Sequence, residues 1–122
     1  MLTPEELADL EATLLPALER HHLRLLAHGL RTLQEIAGCR RGEPPDAEAI
    51  QRWVQQQPAT AGDQAFAVAF TAQMLSASEQ LRRIAGPSRQ PLDLELHELV
   101  GWARLQADSR LAAGPAPAAP EI

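Results

Sequence analysis

Three of the four histidines, His21, His22 and His28, lie close together in the sequence and are the side chains best placed by type to do chemistry. A helix chelates a metal through side chains three or four apart on one face. His21 and His28 are separated by roughly 10 Å along a helix axis, and His22 lies about 100° round from His21, so the three do not close on one ion unaided. No metal site is expected. A tetrapyrrole needs only one axial imidazole, and His21 or His22, both bordering a leucine seam, would supply it, with His97 as a second ligand. This is the alternative reading, a haem-type binding bundle. The sequence has no nucleophile elbow, glycine-rich phosphate loop or acid pair at a defined spacing. No catalytic residue, no cofactor and no enzyme activity are therefore expected.

Arg20, Arg24, His28 and Arg31 follow intervals of four, four and three, which places them in one stripe beside the apolar seam of a helix. No acid occurs between residues 20 and 34, although the chain carries a formal charge of −5. Such a local reversal of sign suits an acidic protein surface, and these four residues are the expected partner-binding set. The net charge and a pI near 5.3 argue against nucleic acid as the partner. All 11 basic residues are Arg, as a GC-rich genome would produce. The single cysteine, Cys39, cannot form an internal disulfide, which favours a reducing compartment. With no basic-plus-apolar leader and no apolar run of about 20 residues, a soluble cytoplasmic protein without a membrane span is expected.

These side chains have to be positioned by helices. Alanine and leucine dominate the 122 residues, Tyr is absent and β-branched residues are scarce, so the fold class is all-α. One domain is expected over 1–113, with the Ala/Pro-rich 114–122 a disordered tail. Thr3-Pro4-Glu5-Glu6 reads as a capping box with Pro at the first helical position, and Leu2 and Leu7 fit its hydrophobic staple. It opens a helix over about 4–37, kinked near Pro16, with Leu7, Leu10, Leu14, Leu18, Leu25, Gly29 and Ile36 inward and Gly38 as the stop. Asp46 caps a short helix over 47–57, with Ile50, Trp53, Val54 and Gln57 inward. Gly62-Asp63 opens a helix over 64–85, and a last one spans 92–112. Three long helices and one short helix make a small bundle. Phe66, Phe70, Met74, Leu81 and Ile84 are expected to be buried against Leu14, Leu18, Leu25, Leu96, Leu99 and Val100. Leu94, Trp102 and Leu105 form a second apolar strip on the last helix, the expected contact of a homodimer.

The stretches Arg20-His21-His22-Leu23-Arg24-Leu25-Leu26-Ala27-His28-Gly29-Leu30 and Glu98-Leu99-Val100-Gly101-Trp102-Ala103-Arg104-Leu105-Gln106-Ala107-Asp108 resemble small, uncharacterised all-helical proteins of cyanobacteria. The resemblance covers most of residues 3–112 and assigns no functional residue. It implies a cytoplasmic or stromal-side setting and an assembly or regulatory role. Sequence and resemblance together point to a non-enzymatic helical module that binds a protein partner.

Overall fold

A computed structural model describes residues 2–113, which form five α-helices. They are α1 (Pro4–Glu11), α2 (Ala17–Ala37), α3 (Ala47–Gln55), α4 (Gln64–Ala85) and α5 (Leu96–Ala112), with a 3-10 turn over Pro91–Asp93 between α4 and α5. The expected tail at 114–122 lies outside the described residues. Among those described, no helix is long and apolar enough to cross a membrane.

The capping box forms as its sequence requires. Glu6 N donates to Thr3 Oγ1 at 3.0 Å, and Thr3 N donates to Glu6 Oε1 at 3.1 Å. The expected kinked helix over 4–37 does not form. α1 stops at Glu11 and α2 starts only after Pro16, whose ring removes a donor and disfavours helical geometry at Leu15. Instead of bending, the chain reverses: Glu6 of α1 meets Arg31 of α2, and Glu11 meets Arg24, so α1 runs back antiparallel along α2.

That reversal resets which leucines are inside. α2 buries Leu23, Leu26, Leu30 and Leu33, whereas Leu18 and Leu25 stand half exposed and Leu14, in the turn, is 97% exposed. The expected core contacts of Leu14, Leu18 and Leu25 are therefore wrong by about a third of a helical turn. Gly38 ends α2 in the left-handed region, φ 77°, where Cys39 N can reach Gln34 O at 3.1 Å.

α2 is the central helix, with α1, α4 and α5 packed on it, while α3 packs chiefly on α4. The inward line of α4 is Ala67, Thr71, Met74, Ser78, Leu81 and Ala85. Phe66 is exposed, and Phe70 is part-buried in a stack between Phe66 and Trp53 of α3, with centroids 5.6 and 5.9 Å apart. Small residues instead face α2, and the two helices approach so closely that a Cβ on Gly29 would lie 3.1 Å from Ala77 Cβ. α5 begins at Leu96 rather than 92, because Pro91 starts a 3-10 turn that buries Leu92. That turn is tied down by Leu92 N donating to Gly42 O (3.1 Å) and Gly42 N donating to Asp93 Oδ1 (2.9 Å).

Thr71 Oγ1 and Ser78 Oγ are buried without a hydrogen-bond partner. Burying an unpaired hydroxyl is unfavourable, so Ser78→Ala should raise stability by about 0.5–1.5 kcal/mol in chemical denaturation. A clear loss of stability would show that Ser78 has a partner after all.

Candidate protein-docking surface

The row Arg20, Arg24, His28 and Arg31 is not the open charged stripe its spacing suggests. Arg31 is only 8% exposed; its NH2 donates to Glu6 Oε2 at 2.7 Å and its NH1 to Gln34 Oε1 at 2.8 Å. Gln34 Nε2 in turn donates to Leu92 O at 3.0 Å. Arg31 thus ties α1 and the 3-10 turn to α2 and cannot reach a partner. Arg24 donates to Glu11 Oε2, and Arg20 Nε stands 3.9 Å from Glu11 Oε1 while its NH1 donates to Leu15 O. Both remain about one-third exposed, and His28 is exposed. The signal missed in the sequence was the acid pair Glu6 and Glu11, which matches the arginine spacing once α1 is antiparallel.

His21 and His22 are exposed neighbours with ring centroids 6.1 Å apart. Glu19, in the first turn of α2, meets Arg110, in the last turn of α5, so these two helices are antiparallel. His97 stands at the other end of α5, about 20 Å along the axis from Arg110. The two-histidine haem site is therefore not assembled. Among the described residues, no group of three or more His, Cys, Asp or Glu side chains is disposed to hold a metal.

Because α4 and α5 flank α2 on separate sides, a groove of about 570 Å³ opens between them. Leu18, Leu25, Leu26 and Gly29 of α2 form its base, Met74 and Ala77 one wall, and Trp102 and Ala103 the other. Its rim is polar, with Gln73, Ser76, Gln80, Gln106 and His22, and the Glu19–Arg110 pair lies at one end. Trp102 is turned into this groove, Leu105 is exposed beside it, and Leu94 is 3% exposed within the core. Leu94 precedes α5 as the cap of the 3-10 turn, so it shares no strip with Trp102 and Leu105. Across the Leu18 and Leu25 ridge from the groove lie His21, His28 and Arg24. α2 therefore presents an apolar channel on one side and basic side chains on the other. The sequence does not reveal the channel, because the spacing of Leu18 and Leu25 predicts them in the core.

The model of one protein family, described as NDH complex assembly factor CRR9, matches residues 2–110. The chain belongs to this family. No curated protein and no solved structure matches it. The CRR9 match takes in α1 to α4 whole and runs along α5 as far as Arg110. All the helices that build the groove therefore fall within the region matched to the family, as does the Glu19–Arg110 pair that closes one end. The family description, an assembly factor, fits a protein that works through contacts and gives a specific family in place of the resemblance to small helical proteins.

Three ion pairs hold the elements of this CRR9-family chain in register, and each lowers a glutamate pKa. Arg31 beside Glu6, Arg110 beside Glu19 and Arg89 beside Glu98 hold these carboxyls below their ordinary value, with partial burial opposing the shift. A depressed folded pKa contributes stability above the unfolded value, and that stability is lost as pH falls through the folded one. Melting temperature should therefore be flat near neutrality and fall once pH drops below 4.5. A protein equally stable well below that pH would show that the pairs carry no stability.

Proposed function

We propose that this chain is a non-enzymatic, cytoplasmic assembly factor that holds a subunit of the NDH complex by an amphipathic helix laid along the groove between α4 and α5. The observation that carries the reading is the family match over residues 2–110. The occupant's apolar face rests on Leu18, Leu25 and Trp102, and its acidic edge lies over His21, His28 and Arg24. The glutamines of the rim exclude neither sign, so the basic edge sets the orientation. Arg20 sits at the same edge and adds to the field, whereas Arg31 acts indirectly by fixing α1. An exposed lone thiol, Cys39, suits a reducing compartment.

The test is co-purification from the native cell. A tagged wild-type chain should retain NDH complex subunits, and Leu25→Asp should lower their recovery about tenfold or more with only a small fall in melting temperature, because Leu25 is half exposed. Arg24→Glu should weaken recovery less, with a dependence on salt that the wild type shows more steeply. Undiminished recovery by Leu25→Asp would remove the groove from the reading.

A further inference from the structure

On the outer side of α4, away from its buried line, Ala65, Val68, Ala72 and Leu75 recur at intervals of three and four, and all are exposed, Val68 by 56% and Leu75 by 40%. From Gln64 to Ser78 the helix carries no charged residue. Charge returns with Asp63 as the N-cap, with Glu79 next in the strip, and with Arg82 and Arg83 in the last turn. A continuous uncharged face on one helix is a strip that water wets poorly; its N-terminal end is acidic, and its C-terminal end carries an excess of positive charge.

We propose that this face joins two copies of the chain, α4 against α4, antiparallel about a twofold axis near Ala72. Antiparallel pairing brings Asp63 of each copy towards the C-terminal turns of the other, where Arg82 and Arg83 outnumber Glu79, and symmetry makes that contact twice. It also opposes the two helix dipoles, whereas parallel pairing would set like charges together at both ends. Asp63 uses Oδ1 to cap Phe66 N and has its second oxygen available. Arg82 and Arg83 are held only by exposed pairs, to Glu43 at 2.9 Å and Glu79 at 3.8 Å, which are weak enough to exchange. The small Ala72 at the axis lets the helices approach, and Leu75 lies over Ala69 and Val68 of the other copy. Met74, Ala77 and Gln80, which line the groove, point to another side of α4, and Ser76 on the groove rim borders the dimer face.

Sedimentation equilibrium of the full chain should show a mass rising with concentration from 13.3 kDa towards twice that value. Ala72→Glu, at an exposed position, should keep the fold by circular dichroism and weaken dimerisation about a hundredfold or more, since it sets like charges face to face. In a Cys39→Ser background, Ala72→Cys should form an intermolecular disulfide under mild oxidation, and Gln51→Cys should not. A monomer at every concentration would overturn the proposal, as would a dimer unaffected by Ala72→Glu. A monomer whose recovery of NDH complex subunits is lost in Ala72→Glu would also overturn it and give the face to a heterologous partner. Leu25→Asp should leave the dimer intact, which separates this test from that of the groove.

Discussion

Leu30→Ala is expected to destabilise the protein by about 3–5 kcal/mol, and Leu25→Ala, little more than one turn away on the same helix, by less than about 1 kcal/mol. Leu30 is fully buried on the helix against which α1, α4 and α5 all pack, so its truncation opens a cavity that rigid neighbours fill only in part. Leu25 borders the groove, and water can replace its lost methyl groups. Urea denaturation of the two variants checks the phase of α2 directly. If Leu25→Ala proved the more costly, the other face of α2 would be the buried one.

Arg31→Ala should cost about 2–3 kcal/mol, because it leaves Glu6 Oε2 and the Gln34 side-chain oxygen without their donor. Arg24→Ala removes a pair that water already screens and should cost less than about 1 kcal/mol. A double-mutant cycle between Arg31→Ala and Glu6→Ala should give a coupling well above that between Arg24→Ala and Glu11→Ala. Equal couplings would mean that α1 is not docked through Arg31.

Local signals in the sequence hold where a side chain acts on its own backbone. Thr3, Asp46 and Asp63 all cap as their types require, and Gly38 and Gly86 end their helices. Local signals fail where the outcome depends on a distant element. A continuous helix over 4–37 carries the phase of α1 across Pro16 and sends Leu18 and Leu25 inward in place of Leu23 and Leu30. In α4 the large aromatic residues suggested the core, but the tight approach of Gly29 and Ala77 needs small residues on the side that faces α2, and Phe66 and Phe70 stack towards α3. The arginine row was visible as a pattern, while its fate depended on Glu6 and Glu11 returning antiparallel. The groove follows from α4 and α5 meeting α2 on separate sides, a tertiary arrangement with no local sequence signal.

Protein docking in the groove is tested most directly by photo-crosslinking in the native cell, with a photoreactive residue placed at Leu25 in one chain and at Gln51, exposed on α3, in another. Groove docking predicts that the probe at position 25 attaches to an NDH complex subunit and that the probe at position 51 does not. Crosslinks to the complex from position 51 alone, with none from position 25, would contradict it.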